Sequence, residues 1–356
     1  MPKEIHNRQI KYSEAIREAL IISMKKNKSV ILLALGVDDP KGIFGTTIGL
    51  DKIFGNQRVF DMPTAENSMT GIAIGSSLGD LRPIITHQRV EFSLLSIDQI
   101  INQAAKWSYM SAGKMKVPLV IRMIIGRGWG QGPQHSQSLE SLFSNIPGLK
   151  VVCPATPYDA KGMLISSIED NNPVIFFEHR WLHNYFGKVP KNYYRVPIGK
   201  SKLIHKGNDI SIVANSLMSI ETLKTAKILK DFNIDADVID LRTLRPIDIN
   251  PIIKSVKKTK TLLVVDNGWM NYGISAEIIS SVLENLQNNS NIKIKRIGIS
   301  DNPIPSTRSL AKYCYQDVYS ILKAVLNLKN VKNNKINQYK VYTASDVPDK
   351  EFTGPF

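Results

Sequence analysis

Short apolar, β-branched runs alternate with longer amphipathic stretches along most of this chain, and that alternation restricts the fold more than any other feature. The runs at 30–33, 117–122, 174–177, 210–213, 236–239 and 261–265 are rich in Val, Ile and Leu and read as strands buried on both faces. Between them, 93–112 repeats Leu94, Ile97, Ile101 and Ala105 at helical spacing, and 219–232 does the same with Ile220, Leu223, Ala226 and Leu229. Such alternation predicts α/β architecture, with parallel sheets covered by helices on both faces. Right-handed crossovers then put ligands at the carboxyl ends of strands. The rhythm breaks at 184–207, which holds Pro190, Pro197 and three tyrosines and reads as a linker with an edge strand. A first domain is therefore expected over 1–190, a second over 191–330, and a polar tail over 331–356.

A length of 356 residues accommodates two domains, and 43% hydrophobic with 22% charged residues is a globular composition. Two cysteines, Cys153 and Cys314, lie far apart without CxxC spacing, which points to a reducing compartment and away from disulfides or zinc. The N-terminus has no signal-type apolar core and no run is long enough to span a bilayer, so a cytoplasmic protein is expected. The net charge of +15 fits either an anionic partner or lysines scattered over solvated faces. No helix carries a continuous basic stripe and no aromatic–basic ladder occurs, so neither nucleic acid nor membrane is expected as a partner.

The stretch 61–75, DMPTAENSMTGIAIG, sets Glu66 at the head of an apolar segment rich in small residues. Such a carboxylate is either a helix-start anion favoured by the macrodipole or a buried acid. Met69, Ile72, Ala73 and Ile74, with Gly71, Gly75, Ser76 and Ser77, predict close helix packing; a buried carboxylate has a raised pKa unless partnered, which suits a proton relay. The loop 125–137, IGRGWGQGPQHSQ, has four glycines in seven positions, Gly126 to Gly132. Its backbone either approaches something closely or turns through positive φ, although a flexible surface loop shares that composition. It lacks the frame and the following acid of a dinucleotide fingerprint. His135 is either a capping residue or a group facing a reaction. In 82–98, RPIITHQRVEFSLLSID, Phe92 is either core or a stacking surface. His87, Gln88 and Arg89, with Arg122 and Arg127, form a candidate cationic patch for carboxylate or phosphate. The segment 167–173, SIEDNNP, reads as a helix end running into a turn.

Glu66 in its stretch, the HSQ at 135–137, Phe92, VIDLRTLRPID at 238–248 and DNPIP at 301–305 together resemble one family. It is the β subunit of the decarboxylating component of thiamine-diphosphate-dependent 2-oxo acid dehydrogenase complexes, with the equivalent half of transketolase; the likeness runs from about Tyr12 to about Leu326. The resemblance implies a parallel-sheet, pyrimidine-binding α/β domain followed by a transketolase C-terminal-type α/β domain. It implies that Glu66 hydrogen-bonds a ring nitrogen of the cofactor's aminopyrimidine and so activates it, that Phe92 stacks on that ring, and that Gln88 is a further cofactor contact. His135 would face the reacting carbon as a hydrogen-bond or proton donor. His87, Arg89, Arg127 and His135 are the implied substrate contacts. A candidate potassium site falls on the backbone carbonyls of Leu119, Ser167, Asp170 and Asn172.

Family members bind diphosphate through Mg2+ in a motif that begins GDG. No GDG occurs here, and Gly79–Asp80 is followed by Leu81. The resemblance therefore implies an α-type partner that carries this motif and the Mg2+, in an α2β2 heterotetramer, with a lipoyl acyltransferase as a further partner. Two activities fit: decarboxylation of a 2-oxo acid with acyl transfer to a lipoyl domain, or transfer of a two-carbon ketol unit between phosphosugars or to an aldehyde. A non-catalytic scaffold is the reading from another class, and the presence of both Glu66 and His135 disfavours it.

Overall fold

The computed structural model describes residues 8–127, 131–286, 291–332 and 334–340. Within them the chain forms two compact units, one built from residues up to 125 and 142–198, the other from 126–141 and from 199 onward. The short segment 126–141 thus belongs to the second unit although it interrupts the first in sequence.

The first unit supplies six parallel strands: β1 (Val30–Ala34), β2 (Val59–Asp61), β3 (Arg82–His87), β4 (Val120–Ile125), β5 (Lys150–Val152) and β6 (Val174–His179). Their spatial order is β5-β6-β4-β3-β1-β2. Every residue of β1, β4 and β6 is buried, which is why these strands are continuous rather than alternating apolar runs. Helix α1 (Tyr12–Lys26) packs against α3 (Pro157–Glu169), and α2 (Glu66–Leu78) packs on β3. The chain leaves β1 toward β2 on one side and leaves β3 toward β4 on the other. β1 and β3 are neighbours, with Ala34 opposite Thr86, so their diverging connections open a crevice at their carboxyl ends. That reversal is where open α/β sheets bind ligands.

Several expectations need correction. The stretch 93–112 is not one α-helix: a 3-10 turn (Val90–Ser96), a π-helical turn (Gln99–Ala104) and a short α-turn (Trp107–Met110) follow in succession. The expected strand at 117–122 begins only at Val120, because Pro118 has no N–H and the Leu119 N–H turns back to the Val117 carbonyl at 2.8 Å. Helix α2 buries Met69, Thr70, Ala73, Ile74 and Ser77, yet Ile72 is 51% exposed and a Cβ at Gly75 would meet nothing within 4 Å. Its close packing is confined to one face.

Arg122 was expected to add to a cationic patch, but its charge is cancelled inside the sheet. On β4 it forms a two-pronged pair with Glu178 on β6, Nε to Oε1 at 2.5 Å and Nη2 to Oε2 at 3.0 Å, and both side chains are fully buried. Burial alone would raise the Glu178 pKa; the Arg122 charge and a hydrogen bond from His183 outweigh it and hold it at about 2.

The second unit carries β7 (Lys202–His205), β8 (Ile210–Ala214), β9 (Ala236–Asp240), β10 (Thr261–Trp269) and β11 (Lys293–Ile299) in the order β11-β10-β8-β9-β7, parallel except for the antiparallel edge strand β7. Around them lie α4 (Ser216–Leu229), α5 (Asn250–Thr259), α6 (Ile274–Asn285) and α7 (Val318–Leu328). Of the expected tail, Tyr339 packs on Phe232 and hydrogen-bonds Asp231, while 341–356 lie outside the described residues. No helix among the described residues is long and apolar enough to cross a membrane.

Removing one member of the sheet pair leaves a buried charge unmatched. Arg122→Met should cost about 3–5 kcal/mol in urea denaturation, and adding Glu178→Leu should recover most of that loss.

Candidate active site

A small pocket opens at the carboxyl ends of β1 and β3. Leu35, Pro63, Thr64, Glu66, Met69, Thr86, His87, Gln88 and Phe92 line it. Each wall has a local cause. After β1 the chain turns at Gly36, whose φ of +71° is left-handed and whose N–H donates to Asp61 Oδ1 at 2.6 Å. The Val37 N–H donates to the same oxygen at 3.2 Å, so the last residue of β2 fixes the loop. Glu66 is the first residue of α2, half-buried beside the helix N-terminus, where a carboxylate is favoured by the exposed N–H groups. Gln88 donates from Nε2 to the Leu35 carbonyl at 2.9 Å and ties the β1 and β3 loops together. Phe92 sits half-buried in the 3-10 turn that follows. Glu66, Phe92, Gln88 and His87, which the sequence reading singled out separately, thus share one pocket.

His87 does not carry the positive charge expected of it. It is 2% exposed, and burial lowers its pKa to about 4, so the ring is neutral near pH 7. Arg89 is also buried, and it lies close enough to Arg180 for its charge to matter. Burial first, then repulsion from Arg89, brings the Arg180 pKa down to about 9; its guanidinium stacks 4.0 Å from the centre of the Phe44 ring. The sequence reading missed Arg180 and its neighbour His183, whose Nε2 meets Glu178 Oε2 at 3.0 Å. The signal was available: polar and aromatic residues, RWLHN, directly after the strand end at His179.

His135 and Arg127 belong to the second unit. His135 closes the single turn Gly132–His135 and is half-buried. The Gly126 N–H donates to the Gln137 carbonyl at 3.0 Å and closes the loop on itself. Gly132 has φ +66°, and a Cβ there would fall 2.3 Å from Ser306 Oγ, so this glycine is required both by conformation and by space. Gly128, Trp129 and Gly130 lie outside the described residues. Arg127 stacks on Tyr315 at 4.2 Å, and burial brings its pKa down to about 10. Near it in sequence, Glu140 is buried and pushed up to about 7 by desolvation, although it accepts from Asn267 Nδ2 at 2.8 Å. Asp266, next to Asn267, is likewise raised by burial.

The candidate cation ligands surround a turn that already contains a cation. The Leu119 carbonyl accepts from the Val174 N–H at 2.9 Å and the Ser167 carbonyl from the Asp170 N–H at 3.3 Å. Arg82 donates to the Asp170 carbonyl at 2.9 Å, and Lys150 lies 2.5 Å from its carboxylate. Asn172 Nδ2 donates to Asp170 Oδ1 at 2.9 Å. Among the described residues no cluster of three or more His, Cys, Asp or Glu is arranged to hold a metal ion.

The neutral His87 has a consequence for acid stability. Unfolded, a histidine binds a proton near pH 6.5; folded, this one refuses it down to about pH 4. Stability relative to His87→Phe should therefore fall as pH drops through that window, by about 2 kcal/mol at pH 5. Urea denaturation of both proteins at pH 7 and pH 5 measures it; equal pH dependence would mean that the folded ring takes up the proton.

Two family models match in sequence order: the transketolase pyrimidine-binding domain over residues 8–184 and the transketolase C-terminal domain over 199–321. The chain is 39% identical over 317 residues to the pyruvate dehydrogenase E1 component subunit beta of Porphyra purpurea, covering 89% of this chain and 96% of that protein. It is also 39% identical over 313 residues to the acetoin:2,6-dichlorophenolindophenol oxidoreductase subunit beta of Cupriavidus necator, covering 85% of this chain and 92% of the relative. Among solved structures, a split-gene transketolase, an inactive beta4 tetramer, shares the fold with a TM-score of 0.71 at 22% identity, over 91% of this chain and 99% of that one. Likeness of this extent, across both domains and nearly the full length of the relatives, makes the chain a member of the β-subunit family of thiamine-diphosphate-dependent 2-oxo acid dehydrogenases.

Proposed function

We propose that this chain is the pyrimidine-holding half of a split thiamine-diphosphate enzyme that decarboxylates a 2-oxo acid and passes the acyl group to a lipoyl domain. The observation that carries this reading is the meeting of Glu66 and Phe92 in one pocket at the carboxyl ends of β1 and β3. The pocket suits an aminopyrimidine: a carboxylate to accept or hold a proton at a ring nitrogen, an aromatic face for stacking, and apolar walls from Leu35, Pro63 and Met69. Thiamine diphosphate, when bound, supplies a carbon nucleophile and an electron sink for cleaving the bond beside a carbonyl. Glu66 sets the protonation of the ring, Phe92 fixes its plane, and His135 serves the reacting oxygen as proton or hydrogen-bond donor.

The diphosphate and its Mg2+ fall to an α-type partner, because the sequence carries no GDG motif. The uncovered face of α2, with Ile72 and Gly75, suits a packed partner helix, as an α2β2 heterotetramer would provide. A second reading has its own support: the buried arginines Arg89 and Arg180 favour a substrate bearing a phosphate or a second carboxylate, as in ketol transfer between phosphosugars.

In the complex reconstituted with a GDG-bearing partner, Glu66→Gln should lower turnover on the order of 10²–10⁴-fold; full speed in that variant removes the proposal. Arg89→Ala should raise KM for anionic substrates about tenfold or more. Running it in parallel lipoyl-dependent and aldose-acceptor assays separates the two readings, and an unchanged KM for every anion tested rules out substrate recognition by Arg89.

A further inference from the structure

His87 lines the same pocket as Glu66 and Phe92, and among the described residues neither of its ring nitrogens has a hydrogen-bond partner. Both nitrogens are closed off from solvent, in a residue only 2% exposed. Leaving a buried polar atom unsatisfied costs stability. The surroundings do not demand that cost, since Leu35, Pro63, Met69 and Phe92 would pack as well against an apolar side chain. Two other polar groups of the wall are engaged: Gln88 Nε2 donates to the Leu35 carbonyl, and the Thr86 hydroxyl accepts from Arg122 Nη1 at 3.4 Å. Among the described residues lining the pocket, the two His87 ring nitrogens are the buried side-chain polar atoms left without a partner.

We infer that His87 is a positioning residue for the bound heterocycle, its neutral imidazole hydrogen-bonding the aminopyrimidine whose ring nitrogen Glu66 serves. This inference rests on the pocket reading above and adds a residue to it. A neutral imidazole offers one N–H and one lone pair. An aminopyrimidine offers the complement, an amino group that donates and ring nitrogens that accept. Glu66 shares a proton with one ring nitrogen and Phe92 presents only a face, so neither supplies the paired N–H and lone pair of an imidazole. The role differs from the charged substrate contact expected of His87, because a neutral ring discriminates by donor and acceptor pattern rather than by charge.

The test uses the full chain with nitrogen-15-labelled histidine and, as probe, the free hydroxymethyl-aminopyrimidine half of thiamine. The six histidines give resolvable ring signals, and the His87 pair is assigned by its loss in His87→Phe. Saturation with probe should shift the His87 ring nitrogens. His87→Phe should weaken probe binding about tenfold, the loss of about one net hydrogen bond, while melting no lower than wild type, since an orphaned polar group is removed. His87→Gln, whose carboxamide also donates and accepts, should restore binding to within about threefold. Unchanged affinity in His87→Phe, or ring nitrogens that do not move at saturation, overturns the assignment. Should His87→Phe fail to fold, the wild-type ring shifts and the Gln variant decide alone. If wild type and His87→Phe bind alike while Glu66→Gln does not, only the His87 role falls. If the wild-type chain binds no probe, the pocket reading falls too.

Discussion

The buried Arg122–Glu178 pair ties together the carboxyl edge of the first sheet. Arg122 stands on β4 and Glu178 on β6, and the guanidinium also donates to Thr46 and to Thr86 on β3. His183, past the end of β6, completes the set by meeting Glu178. Three adjacent strands and two loops are thereby fixed at the end where the sheet order reverses. Thr86 is itself a pocket residue and directly precedes His87. Loosening the pair would therefore disturb the pocket floor as well as the core. A charge pair buried this deeply brings little net stability; its geometric effect is to hold one register at the edge that positions the site.

From that edge, the site follows from a few local devices. Asp61 receives the backbone N–H groups of the loop after β1, Gln88 bridges to the same loop, and the start of α2 presents Glu66. The stretch after His87 runs through 3-10 and π-helical turns instead of a regular helix, and π-type turns recur at functional sites. This winding brings Phe92 back to the pocket only a few residues after the strand ends. The polar inventory that results is uneven. One carboxylate, one aromatic ring and one imidazole line the pocket, while Arg122 is paired, and Arg180 and Arg127 are stacked.

Much of this was legible in the sequence. The apolar runs at Val30–Ala34 and Val174–His179 are buried at every position, and burial on both faces writes itself as an unbroken β-branched run. Glu66 and Phe92, singled out by residue type and local pattern, line one pocket. The linear chain gave no sign that Gly126–Ser141 belongs to the second unit, since membership in a unit is decided by packing partners far away in sequence. Nor did it reveal that the Ile72–Gly75 face of α2 points outward, because small residues pack equally well against the same chain or another one.

The sequence alone determined the class of architecture and marked out Glu66 and Phe92, which fold into one pocket, because periodicity and side-chain chemistry are local properties. The tertiary structure decided the charge state of other groups that the sequence singled out. Arg122, read as part of a cationic patch, is neutralised by a glutamate from a neighbouring strand, and His87, read as a cation, is kept neutral by burial. A side chain's charge depends on the dielectric and the partners that folding brings to it, and those come from residues distant along the chain.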